Sequence, residues 1–112
     1  MREAAKSKDT PGFMINIPFT VKNSSESEIK IDARVSRNDL AVPALRCEVF
    51  DQSDGTLVFS RDVLSTDFGS ANILEKISVG VAPNLEPTHQ YNMRIYFTGN
   101  VNVAIETVCL LQ

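Results

Sequence analysis

The chain has 112 residues, 43% of them hydrophobic and 22% charged, with a formal net charge of -3. That length suits one domain with one core, burying on the order of 65% of the unfolded surface without help from metals or disulfides. The acidic balance argues against sequence-independent nucleic-acid binding, which needs a basic footprint, and against an anionic membrane surface as partner. No apolar run is long enough for a membrane helix, and the polar, charged opening (Arg2, Glu3, Lys6, Lys8, Asp9) lacks the apolar stretch of an export signal. The expected location is therefore cytoplasmic.

Residues 1–10 read as a linker or a short leading helical turn, ended by Asp9-Thr10-Pro11-Gly12. The domain proper is expected over 11–112. Phe13 to Val21 alternates with Phe13, Ile15, Ile17, Phe19 and Val21 on one parity; Pro18 marks it as an edge strand or a bulge. The cleanest alternation follows, with Ile29, Ile31, Ala33 and Val35 opposite Lys30, Asp32, Arg34 and Ser36, the signature of a half-buried strand.

Leu45 to Phe50 is the next strand. Asp54-Gly55 marks a hairpin turn, and Thr56 to Arg61 returns as the partner. Leu57 and Phe59 cannot share a face with Val58, so both sides of that strand carry apolar groups. Ile73 to Val81 is predicted as a strand, with Glu75 breaking the pattern at a strand entrance. Tyr91 to Phe97 places Tyr91, Met93, Ile95 and Phe97 on one side and Asn92, Arg94 and Tyr96 on the other. After a turn at Thr98-Gly99-Asn100 the last strand changes parity between Ile105 and Val108, which predicts a bulge near Glu106-Thr107. Seven or eight strands without a helix between them give an all-β chain folded as a single antiparallel β-sandwich, of jelly-roll type or, alternatively, immunoglobulin-like.

Cys47 and Cys109 stand about as far apart as an immunoglobulin disulfide pair. However, the chain has no Trp, and Thr107 occupies the place of the corner tyrosine. Two buried free thiols are the preferred reading in a reducing compartment. Two isolated cysteines and the single His89 lack zinc-ligand spacing. His89 itself reads as a solvated loop residue. No Gly-x-Ser-x-Gly elbow or Gly-rich phosphate loop is present, so a non-enzyme is expected.

Several segments resemble a known class. Gly12 to Phe19 resembles the opening G-x-x-x-x-x-P-[FY] of small jelly rolls. Cys47 to Asp51, Gly55 to Val58 and Arg61 to Val63 resemble their central hairpin. Tyr91 to Gly99 followed by Val101 to Leu110 resembles their terminal Y-x-[LF]-R-[VI]-[YF]-[YFW]-x-G … L-x-[VI]-x-x-[VI]-x-L. These are carbohydrate-binding-module-like jelly rolls of the kind appended to bacterial polysaccharide-synthesis glycosyltransferases and methyltransferases. The resemblance implies a non-catalytic accessory module that binds a glycan or polysaccharide and positions a linked or partner enzyme. Some related domains hold a structural calcium. Glu106 stands near the right place, but no early Glu-x-Glu pair accompanies it, so no cofactor is expected.

Two candidate sites follow. One is a sheet face in which Arg34, Arg94 and Tyr96 lie on neighbouring strands, the tyrosine offering a stacking surface and the arginines forked donors. The other is a loop tip gathering Asn38, Asp39, Phe68 and Asn100, where amides suit sugar hydroxyls. Phe50 is a further platform candidate. The competing function is a structural or interaction sandwich that forms a homo-oligomer or docks another domain through exposed apolar surface.

Overall fold

The computed structural model describes residues 5–6 and 14–112. Among the described residues eight strands run in chain order: β1 (Ala5–Lys6), β2 (Met14–Phe19), β3 (Ser27–Val35), β4 (Pro43–Asp51), β5 (Leu57–Leu64), β6 (Glu75–Ala82), β7 (Tyr91–Phe97) and β8 (Val103–Leu111). A single turn of 3-10 helix, Ser65–Asp67, follows β5. The linker or helical turn expected over 1–10 meets a two-residue strand at Ala5 and Lys6, which pair with Ile105 and Ala104; the rest of that stretch lies outside the described residues.

The strands form two four-stranded sheets, ordered β1-β8-β3-β6 and β2-β7-β4-β5, with every pairing antiparallel. The pairings are nested: first with last, second with seventh, third with sixth, fourth with fifth. A long antiparallel ribbon folded back on itself gives this order, and it defines a jelly roll rather than an immunoglobulin-like sandwich.

Alternation builds the core. Ile29, Ile31, Ala33 and Val35 of β3, with Val103, Ile105 and Val108 of β8, are buried together with Leu45, Cys47 and Val49 of β4 and the odd-numbered residues of β7. The anticipated bulge is present. Asp32 pairs with Thr107 and Ala33 with Ile105, so Glu106 is the extra residue and Val108 regains the inner face. A second bulge explains the two-sided strand β5. Val49 faces Phe59 while Phe50 faces Leu57, leaving Val58 unmatched. Pro18 sits on β2, an edge strand, where its missing N–H costs no ladder bond to a second neighbour.

Apolar loop residues close both ends of the sandwich. Val21 and Leu85 are buried at one end, Phe68 and Val101 at the other. Phe68 corrects the expectation of an exposed platform: only 2% of its surface is accessible. Asp67 Oδ2 accepts the Leu64 N–H at 2.8 Å and the Phe68 N–H bonds the Ser65 carbonyl at 3.3 Å, so the 3-10 turn swings the ring inward. The strand predicted from Ile73 begins instead at Glu75. Ile73 and Leu74 are exposed in the preceding turn, where Asn72 adopts φ 61°. Glu75 holds that turn by accepting the Gly69 N–H at 2.8 Å.

Replacing Phe68 by Ala removes the plug between the sheets and is expected to cost about 3 kcal/mol. A lower urea midpoint with an unchanged slope is the expected result; an unchanged midpoint would show that the ring is not core.

Candidate functional site

The β2-β7-β4-β5 sheet fixes three cross-strand rows on its outer face. Met14, Tyr96, Arg46 and Asp62 form the first. Asn16, Arg94, Glu48 and Ser60 form the second. Pro18, Asn92, Phe50 and Leu57 form the third. Paired residues in an antiparallel ladder point to the same side, so register alone brings Arg94, Tyr96 and Phe50 onto one surface. Tyr96 and Phe50 lie four residues apart along the strand direction, roughly 14 Å. Arg94 lies between them, its guanidinium carbon 4.6 Å from the centre of the Phe50 ring. Arg46 is spent differently. Its Nε donates to Glu48 Oε2 at 3.0 Å, and its terminal nitrogens donate to Asp62 at 3.2 Å and to Ser60 Oγ at 3.2 Å. Gln52 donates to Asn92 at 2.9 Å beside Phe50.

Arg34 is not part of this surface. It lies on β3, in the other sheet, and faces away from β7. Around it that outer face is charge-paired: Lys76 with Asp32 at 3.3 Å, Lys30 with Glu28 at 3.8 Å, and Ser78 donating to Glu28 at 2.8 Å. Arg34 instead borders two small adjoining clefts of about 140 and 110 Å³, shared with Leu74, Glu106, Asn72 and Asn102.

The loop-tip residues do converge, but on the protein itself. Asn38 Nδ2 donates to the Phe68 carbonyl at 3.0 Å. Asn100 Nδ2 donates to the Pro43 carbonyl at 2.8 Å, which also accepts the Thr98 hydroxyl at 2.7 Å. Asn38 and Asn100 each spend an amide N–H on a backbone carbonyl, and of the expected loop-tip residues Phe68 is buried. The turn at Gly99 (φ 81°) directs Asn100 back toward β4.

Sequence reading missed a polar cluster at the opposite end. Asp51, at the last position of β4, is nearly buried. Its Oδ1 accepts the Ser53 N–H at 2.9 Å and hydroxyl at 2.7 Å, and its Oδ2 meets His89 Nδ1 at 2.7 Å. The Ser53 bonds, then His89, draw the carboxyl pKa down to about 2, while Asp51 raises that of His89. Serine and histidine both bond the carboxylate rather than each other, so these three do not form a nucleophile relay. They clasp the β4–β5 hairpin to the loop before β7, joined further by the Gln52 N–H to the Gln90 carbonyl at 2.9 Å. Loop position gave no hint of this; the β4–β7 ladder, which pairs Asp51 with Tyr91, brings position 51 to position 89.

Neither cysteine can bridge to the other. Cys47 points into the core from β4, and burial pushes its thiol up to about 12. Cys109 corrects the expectation of two buried thiols: it pairs with Lys30 and lies half-buried on the outer face of the opposite sheet. Among the described residues no group of three or more His, Cys, Asp or Glu side chains is arranged to hold a metal ion. Among the described residues no helix is long and apolar enough to cross a membrane.

No family model and no curated protein matches the chain. Two solved structures of infectious bursal disease virus resemble it. The crystal structure of the VP2 subviral particle is 14% identical with a TM-score of 0.46, over 99% of this chain and 30% of that one. The structure of the Gt strain is 13% identical with a TM-score of 0.45, over 96% and 28%. The chain thus spans less than a third of each.

Two measurements follow from the polar cluster and the thiols. Asp51 contributes stability above its unfolded pKa of about 3.8, lost as pH falls through about 2. His89 contributes fully below its ordinary value of 6.5, and the contribution fades as pH rises through its raised pKa. The melting-temperature gap between the parent and His89→Asn should therefore be widest between about pH 4 and pH 6.5 and narrow above it; a gap independent of pH would mean that the ion pair contributes nothing. Labelling with a thiol reagent at neutral pH should modify Cys109 readily and Cys47 only on unfolding.

Proposed function

We propose that this chain is a non-catalytic glycan-binding module whose ligand lies along the outer face of the β2-β7-β4-β5 sheet. The observation that supports it is the strip formed by Tyr96, Arg94 and Phe50. Two partly exposed aromatic groups about 14 Å apart leave room for a few sugar rings laid along β7. Asn16 and Asn92 flank the strip with amides that can donate and accept. The face is shallow and open, which suits a chain-like ligand better than a compact metabolite. The resemblance to carbohydrate-binding-module-like jelly rolls adds the expected setting, in which the module raises the local concentration of polysaccharide around a linked or partner enzyme.

A second reading, an interaction module or homo-oligomer, has one observation in its favour. Leu40, Ile73 and Leu74 are all exposed in loops at the Phe68 end. Light scattering at high concentration tests it, and a strict monomer removes the homo-oligomer.

Amide shift mapping with a panel of neutral and acidic oligosaccharides tests the main proposal. Shifts should cluster at Asn16, Phe50, Arg94 and Tyr96, and Tyr96→Ala should weaken binding about fivefold. No shift on this face with any glycan overturns it.

A further inference from the structure

Arg94 differs from every other charged group on its sheet face. Arg46 is divided between Glu48, Asp62 and Ser60. Glu48, the cross-strand partner of Arg94 by register, turns its carboxylate to Arg46 instead. Arg94 is left with one recorded interaction among the described residues, its guanidinium lying over the Phe50 ring at 4.6 Å. That contact orients the group without using its donors, because a ring face accepts no strong N–H bond.

A guanidinium held flat on an aromatic ring, half-buried, with its forked N–H edge unclaimed, is prepared for a planar two-oxygen acceptor. Tyr96 on the same strand and Asn16 on the adjacent one stand beside it. Resting on the glycan reading above, the geometry points to an acidic saccharide as the ligand: the carboxylate of a uronic-acid unit received by Arg94, with neighbouring rings against Tyr96 and the exposed edge of Phe50. Glu48 does not oppose this as a free charge would, since Arg46 offsets it at 3.0 Å. The same pairing makes Arg94 the cation of this face available to a ligand, so carboxylate recognition is expected to depend on Arg94 far more than on Arg46.

The experiment titrates the whole chain, followed by amide shifts, with trigalacturonate, trimannuronate and a hyaluronan tetrasaccharide. Each is set beside its carboxyl-reduced counterpart. At least one acidic form should bind about tenfold or more tightly than its reduced form, with a preference that weakens as salt is added. Arg94→Gln should abolish that preference, Arg94→Lys should restore part of it, and Arg46→Gln should leave most of it. An amide spectrum of each variant establishes that it is folded. Equal binding of acidic and reduced forms overturns the acidic-ligand inference and leaves the glycan reading standing. Binding of neither overturns both. Equal losses in Arg94→Gln and Arg46→Gln would replace a specific carboxylate site with a diffuse charge effect, and overturn the inference as well.

Discussion

Two four-stranded sheets can bury their inner faces only against each other, and every other feature of this molecule depends on that contact. Ile31, Val35 and Val108 from one sheet and Leu45, Val49, Met93 and Ile95 from the other belong to one buried cluster. Because side chains alternate strictly along a strand, placing these residues inside compels Arg94, Tyr96 and Phe50 outside. The candidate binding face is thus a by-product of the core. It needs no loop to assemble it, and it sits on the most regular part of the fold, where backbone register positions side chains more firmly than a loop would.

Alternation is interrupted at four register shifts, at Ile29/Lys30, Asp32/Ala33, Pro43/Leu45 and Val49/Phe50, and two of them reverse the face of a strand. The extra Glu106 lets β8 pair with β3 along its length while returning Val108 to the interior. The unmatched Val58 lets Phe59 enter the core while Leu57 remains on the surface. Close to it, Gly80 of β6, at φ 151°, leaves space for Phe59 and Arg61, whose side chains would lie 3.1 and 3.3 Å from an added Cβ. The open side of the sandwich closes there, between two edge strands that share no ladder.

The ends are closed by different means. At one, Phe68 and Val101 fill the gap between sheets, while Asn38 bonds the Phe68 carbonyl and Thr98 and Asn100 share the Pro43 carbonyl at the start of β4. At the other, Val21 and Leu85 fill the gap, and Asp51 gathers Ser53 and His89. The Gln112 amide adds to that end by donating to the Asn23 carbonyl at 2.8 Å. Asn38 and Asn100, which look like ligand donors in the sequence, each give an amide N–H to a backbone carbonyl here.

How much of this was legible beforehand follows from the range of each interaction. Period-2 alternation is local, so the course of β3 and β7 and a bulge near Glu106-Thr107 could be read from neighbours in the chain, while Pro18 left β2 as an edge strand or a bulged one. The shared outward direction of Arg94 and Tyr96 was legible for the same reason. The sheet to which a strand belongs is a long-range matter, because it depends on which distant strand supplies the hydrogen bonds. Sequence therefore grouped Arg34 with Arg94, and the nested pairing put them on opposite outer faces. Irregular segments carry no period at all: Phe68 became core, Ile73 and Leu74 became surface, and Asp51 met His89 only once the chain had folded back. The sequence by itself determined the alternation and hence the class of fold. Tertiary structure alone decided which side chains became neighbours, since backbone pairing between residues far apart in the chain obeys no local rule.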